Sequence, residues 1–342
     1  MTYADDLELQ NLGETLRERF AVGPARYTSS AMSMLTSLRY QLGLARAFGP
    51  LAALSIGIRR RLRLRGAMKL RWKGQPLVVR PRESDPVVAS AVLGWTEYGL
   101  GDHAETALAQ LAARWRERGG TPVIIDGGAN VGYAALYFAR KFPDAVIIAI
   151  EPNIETFRVL QKNCAGHPQI RTVLGALWSH GNGVSLHSDP DLSWADSVRD
   201  GGDTPSLRLQ DLMRSVPGGM PLIIKLDIEG AENEVCRASP ELLRRTACLL
   251  VEPHDYLKPG SSCLSPLYDA LKGQSVDTLL VGEYIALIAS ELLRDPAEQR
   301  LRRVQASPVS AAVLPAAVIA PAAEHLPAVA ADRHAAAPYE RV

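Results

Sequence analysis

The sequence predicts an α/β fold, a mostly parallel sheet with helices on both faces, and three observations carry that prediction. Apolar runs at 123–125, 146–150, 222–226 and 248–251, interrupted only by Lys225, have the make-up of strands buried on both faces. Helical patterns at 133–141 and 154–164 alternate with the first runs and with a third strand near 170–174, a βαβαβ repeat that implies right-handed crossovers. The runs also end in polar residues: Asp126 before Gly127 and Gly128, Glu151 before Pro152, Asp227, and Glu252 before Pro253 and His254. In open parallel sheets, ligands bind outside the carboxyl ends of the strands, so these residues mark the expected site.

Composition narrows the class. The 342 residues suffice for one large domain with appendages. The 38 Lys and Arg nearly cancel the 37 Asp and Glu, so no global field recruits nucleic acid or an anionic membrane. Cys164, Cys236, Cys248 and Cys263 lack metal-ligand spacing and read as packing residues of a reduced intracellular protein. The opening MTYADDLELQ is acidic and polar rather than a secretory signal, and a cytoplasmic location is expected.

Residues 1–67 read as a helical extension. Between Tyr40 and Arg65 an apolar stretch broken by Gly43, Gly49, Pro50 and Gly57 leads into Arg59, Arg60, Arg61, Arg63 and Arg65. It is too short and broken to span a bilayer and reads as a helical lid with solvated arginines; contact with a membrane surface or with a carrier-bound substrate is the alternative. The main domain is expected at 68–295. Its first part, 68–120, holds a hairpin turning at Lys73 and Gly74 and helices at 85–98 and 103–117; its core is 121–290. Within it, 184–187 reads as a strand, 188–204 as a mobile loop, 265–271 as a helix, and 278–281 with 284–288 as closing strands, the last pair antiparallel. The Ala- and Pro-rich stretch 296–342 reads as a disordered tail.

The turn after the first core strand decides the cofactor class. In VIIDGGANVGY the glycines let the backbone turn and approach a ligand, and Asn130 can cap the helix that follows. A dinucleotide fingerprint needs glycine where Ala129 stands, and no P-loop lysine follows. Asp126 at the mouth repels a phosphate but suits a cofactor with a cationic end, such as S-adenosylmethionine. Glu151, about twenty residues on, stands where an acid binds ribose hydroxyls. The second informative stretch, PLIIKLDIEGAE, brings Lys225, Asp227, Glu229 and Glu232 to one strand end, a costly group to bury without partners. His254 is delivered to the same side and is a candidate general base.

DGGANVGY, IEPN, LDIEGAE and VEPH, in this order and spacing, resemble the FkbM family of S-adenosylmethionine-dependent methyltransferases over about residues 74–287. LDIEGAE is the specific part. The resemblance implies the class I methyltransferase fold, Rossmann-like with a seven-stranded sheet, and O-methylation of a hydroxyl on a sugar, glycan, polyketide or related natural product. By it, Asp126, Gly128, Asn130 and Gly132 line the methionine end and Glu151 binds ribose, with Gly127, Tyr133, Pro152, Ala176, Leu177 and Asp227 completing the cofactor-binding set. This chain departs from the family after the third strand, where Trp178, Ser179 and His180 replace the usual Ser-Asp near the adenine. For the chemistry, Asp227 and His254 are expected to flank the acceptor hydroxyl, with Lys225 and Glu229 beside them; a divalent metal on Asp227 and Glu252 is the alternative route. The expected acceptor is a small molecule or glycan, not nucleic acid. An NAD-dependent oxidoreductase and a non-catalytic binding module are the competing readings.

Overall fold

The computed structural model describes residues 30–188, 196–255, 260 and 262–294. Two helices, α1 (Ser30–Phe48) and α2 (Pro50–Arg61), precede a hairpin of β1 (Met68–Trp72) and β2 (Gln75–Val79). Trp72 pairs with Gln75 across Lys73 and Gly74, both at positive φ, as a two-residue hairpin turn requires. After α3 (Asp102–Glu117) come β3 (Thr121–Gly127), α4 (Tyr133–Lys141), β4 (Val146–Glu151), α5 (Ile154–Cys164) and β5 (Ile170–Leu174). Short strands β6 (Ala176–Leu177), β7 (Val184–Ser188), β8 (Asp196–Asp200) and β9 (Ser206–Leu207) lead through α6 (Leu209–Arg214) to β10 (Gly219–Leu226). Helices α7 (Glu232–Ala238) and α8 (Pro240–Arg245), strand β11 (Cys248–Val251), helix α9 (Ser265–Leu271) and strands β12 (Val276–Val281) and β13 (Tyr284–Ala289) complete the domain.

Seven strands form one sheet in the order β12-β13-β11-β10-β3-β4-β5, with β13 antiparallel to both neighbours and the other pairings parallel. The chain builds outward from β3 in one direction and resumes at β10 on its other side. The β3/β10 junction is therefore the topological switch point, where the crevice of such a sheet opens. Alternation along β3 explains its unbroken apolar run: Ile124 packs into one buried cluster, Val123 and Ile125 into the other. Each such side chain contributes about 1.5–3 kcal/mol of burial. Leu44, Ala47, Ala53 and Ile56 of α1 and α2 join the first cluster, so the amino-terminal helices pack onto the sheet's own core.

Two expected elements differ. The helix expected over 85–98 is α-helical only at Asp85–Val88, continues as a π-helix over Ala89–Gly94, and stops there. The cause is α1: a Cβ on Gly94 would lie 2.2 Å from the carbonyl oxygen of Gly43, so the two backbones touch, and Thr96 then takes φ +54°. The expected loop 188–204 includes β8, paired antiparallel with β7, because Val184 to Leu186 and Val198 to Asp200 can alternate across a ribbon; residues 189–195 lie outside the described residues, as does the tail.

Candidate active site

At the switch point the end of β3 supplies Asp126 and the end of β10 supplies Lys225 and, one residue past the strand, Asp227. Lys225 is 1% exposed, and its ammonium lies 3.3 Å from Asp126 Oδ1 and 3.1 Å from Asp227 Oδ2. It also donates to the carbonyls of Gly127 (3.2 Å) and Gly128 (3.1 Å). The aromatic faces of Tyr98 and Tyr284 stand 5.7 and 6.0 Å from it. Burial alone would lower the lysine's pKa, but the charges of Asp227 and Asp126 hold it well above the ordinary value. Lys225 is thus a fixed cation that fastens the glycine turn to the strand end. Asp126 is wholly buried on this cation rather than standing at the crevice mouth, so its charge is answered from within the protein. Burial raises its pKa, and Lys225 opposes the rise.

The glycine turn is shaped mainly by the protein itself. A Cβ on Gly128, at φ +70°, would stand 1.8 Å from the carbonyl oxygen of Asp227. On Gly132, at φ +92°, it would meet Leu160 Cδ1 at 2.7 Å and Cys164 Sγ at 2.9 Å. A Cβ on Gly127 would meet Leu177 Cδ1 at 2.5 Å. These three glycines therefore permit close packing of the turn on β10, α5 and β6. Helix α4 starts from Gly132 without a side-chain cap; the expected Asn130 cap is absent because Asn130 sits at φ +49°, two residues too early. Its Oδ1 is buried with no hydrogen-bond partner among the described residues.

Glu151 closes the turn from the β4 side. Its Oε2 accepts the backbone N–H of Asn130 and its Oε1 that of Asn153, each at 2.9 Å. The bond to Asn130 spans 21 residues, so the carboxylate is clamped between the glycine turn and the start of α5. Asn153, next to Pro152, caps α5 by accepting from the N–H groups of Glu155 and Thr156. Buried Asn163 ties the same turn to the hairpin: it donates to Val131 O at 2.9 Å and accepts from Val78 N at 2.7 Å. Tyr133 points elsewhere, its phenol buried where the charges of Asp85 and Arg80 act on it. Ala176 and Leu177 are buried in β6, and Trp178 packs with Ala176, Val184 and Ala231.

The opposite wall is acidic. Tyr284 donates to Asp227 Oδ2 at 2.8 Å and meets Tyr98 hydroxyl to hydroxyl at 3.0 Å. Asp227 and Glu252 form a hydrogen-bonded carboxyl pair. Burial raises the pKa of Asp227, but Lys225, Glu252 and Tyr284 outweigh it and hold it below the ordinary value. Burial and the charge of Asp227 push Glu252 up to about 8. The pair therefore shares one proton near neutrality, carried by Glu252.

His254 is 2% exposed. Its Nδ1 lies 2.9 Å from Glu232 Oε1, and its Nε2 3.4 Å from Glu229 Oε2 and 3.7 Å from Glu252 Oε1. Burial lowers its pKa, but the hydrogen bond and charge of Glu232, with Glu229 and Glu252, outweigh this and push it up to about 9. The imidazole is charged near neutrality and gripped from both ring nitrogens. That makes it an organising cation, whereas a general base must be neutral at working pH.

A family model described as the methyltransferase FkbM domain matches residues 126–261, a span from the acid at the end of β3 past His254. The chain carries an FkbM-family methyltransferase domain. It is similar to "Methyltransferase sdnD" of Sordaria araneosa, at 29% identity with 35% of this chain and 61% of that protein covered. It is similar also to "Methyltransferase 1" of Beauveria bassiana, at 26% identity with 33% and 57% covered. The chain thus spans about three fifths of the length of these curated relatives. Among solved structures, precorrin-6y C5,15-methyltransferase of Geobacter metallireducens shares 12% identity at a TM-score of 0.31, covering 56% of this chain and 88% of that one. So slight a likeness adds nothing to the strand order itself, which is that of the class I methyltransferase sheet.

The FkbM domain draws part of its site from residues outside the four motifs. Glu97 and Tyr98 arrive from the turn that follows the π-helix, and Tyr284 from β13. Burial and the charges of Glu283 and Asp227 push Glu97 up to about 7. Six non-glycine residues have positive φ among the described residues, and three of them, Thr96, Asn130 and Glu229, border this site. Such strain persists where the surroundings enforce it, often at functional sites. A helical Ala/Val/Leu pattern before Trp95 gives no hint of this turn, which arises from contact with α1.

Proposed function

We propose that the chain is an S-adenosylmethionine-dependent O-methyltransferase whose acceptor is a hydroxyl of a sugar, glycan, polyketide or related natural product. The observation that carries this reading is the clamped carboxylate of Glu151 at the carboxyl end of β4. The backbone N–H groups of Asn130 and Asn153 hold its two oxygens at the strand end, where an acid meets the hydroxyls of a ribose. The buried acceptor Oδ1 of Asn130 fits the same ligand, whose ammonium group is a donor. Ala129 still stands where a dinucleotide needs glycine. Both relatives are named as methyltransferases, which supports the class.

When bound, the cofactor supplies an electrophilic methyl group. The chain's contribution is to orient the acceptor oxygen in line with that group and to receive its proton. Glu252 is suited to receive it in its ionised form, which becomes populated as pH rises through about 8, so methyl transfer should quicken over that range. Ionised Glu252 would take the acceptor's hydroxyl proton as that oxygen is methylated and would release it to solvent. Lys225 and His254 hold the acids in register. Asp227, Glu252 and His254 do offer three donor atoms within 4.8 Å of one another. They fit a metal poorly, because Lys225 and Tyr284 already occupy Asp227 Oδ2 and His254 is held by carboxylates. No step is assigned to a metal.

Calorimetry tests the reading. The protein should bind S-adenosylmethionine or its demethylated product with micromolar affinity and NAD far more weakly. Tight binding of NAD overturns it.

A further inference from the structure

The sequence divides its charge unevenly. Of the 38 Lys and Arg, 14 lie between Arg19 and Arg82, a stretch without a single Asp or Glu, leaving 24 against all 37 acids elsewhere. Near neutrality overall thus hides an excess of 14 positive charges on one segment and 13 negative on the rest. Exposed large apolar side chains gather on the same segment. Of eleven among the described residues, seven fall between Leu38 and Leu64.

The geometry of α2 sorts these residues. Ala53 and Ile56 face inward and join the core. At 100° per residue, Leu51, Leu54, Ile58 and Leu62 fall within an arc of about 80° on the opposite side. They are 82%, 60%, 47% and 62% exposed. Leu38 and Leu42, one turn apart on α1, add to the exposed apolar surface. The helix closes in Arg59, Arg60 and Arg61, followed by Arg63 and Arg65, and none of the five forms a salt bridge among the described residues.

We propose that the outer face of α2 docks on an anionic lipid surface, with Leu51, Leu54, Ile58 and Leu62 entering the acyl boundary and the arginines engaging headgroups. A helix apolar on its outer face and basic at its end is the pattern of an interfacial helix. Bare charge would equally suit nucleic acid, but four exposed leucine and isoleucine side chains in one stripe would not. No helix among the described residues is long and apolar enough to cross a membrane, so the contact is with the surface. None of Leu51, Leu54, Ile58 and Leu62 is among the residues assigned to the cofactor crevice, so the proposal stands whether or not the methyl-donor reading does.

Co-sedimentation of the full chain with vesicles tests it. Binding to phosphatidylcholine vesicles containing phosphatidylglycerol should exceed binding to phosphatidylcholine alone by at least about tenfold, and should weaken as salt rises. Replacing Arg60, Arg61 and Arg63 with Gln should reduce binding by about a hundredfold, at roughly fivefold per arginine. Leu51→Ser with Leu54→Ser should reduce it by at least about tenfold with an unchanged melting temperature. Absence of binding to anionic vesicles, or binding that survives both sets of substitutions, overturns the proposal. So does a drop in melting temperature in the serine variant, which would make the stripe a packed face, or its conversion of a dimer to a monomer, which would make a second copy the occupant.

Discussion

Replacing His254 with Gln should remove a pH dependence of stability that the wild-type protein carries. The imidazole's pKa rises from 6.5 in the ordinary state to about 9 in the fold, through the hydrogen bond and charges of its three carboxylate neighbours acting against burial. A folded-state pKa above the unfolded one means that the stabilisation is complete below about pH 6.5 and is lost as pH climbs through about 9. At 1.36 kcal/mol per unit, the shift is worth on the order of 3 kcal/mol. Glu252, raised to about 8, adds a loss of the same sign that begins at lower pH. Only the difference between the two proteins isolates the histidine. Urea unfolding at pH 6 and at pH 9.5 measures it: the wild type should lose about 3 kcal/mol more than His254→Gln across that interval. Nuclear magnetic resonance of the imidazole supplies an independent value. Equal pH slopes for the two proteins, or an imidazole titrating near 6.5, would refute the reasoning and restore His254 as a candidate base.

Other expectations follow from the same geometry. Glu151→Gln should weaken binding of the methyl donor by about 1–3 kcal/mol in calorimetry, as charged hydrogen bonds are lost, and should lower the melting temperature too, since the amide NH2 cannot accept the second backbone N–H. Lys225→Met removes the buried cation and leaves Asp126 and Asp227 uncompensated, so chemical denaturation should show a loss of about 3–5 kcal/mol. Methyl transfer should persist in the presence of a chelator, because Lys225 and His254 hold the acidic cluster; activity that vanishes with the chelator and returns with magnesium would restore the metal route.

Much of the architecture was legible because it rests on local pattern. Fully buried strands such as β3 and β4 must be apolar throughout, and their polar ends fall on one edge of the sheet whatever the helices do. Glu151 could be placed at the carboxyl end of a strand from its position alone. The role of Asp126 was not legible, since its burial depends on Lys225, which is 99 residues away in the chain. The packing of the glycines was hidden in the same way: the space beside Gly128 is filled by Asp227 and that beside Gly132 by Leu160 and Cys164. His254 stood at the right strand end, but its charge depends on Glu232, Glu229 and Glu252 gathering around it. Glu97 and Tyr98 escaped notice because a Gly43 to Gly94 backbone contact, and no feature of their own sequence, ends the helix before them.

The position of Lys225 makes the two halves of the crevice answer to each other. One ammonium holds the carbonyls of Gly127 and Gly128 and the carboxylate of Asp227, which is bound in turn to Tyr284. A ligand that shifts the glycine turn would also shift Asp227 on the acceptor side proposed above, and by thermodynamic reciprocity a second substrate would then change the affinity for the first by the same factor. The two substrates of such an enzyme would meet cooperatively, through a single buried charge that touches neither.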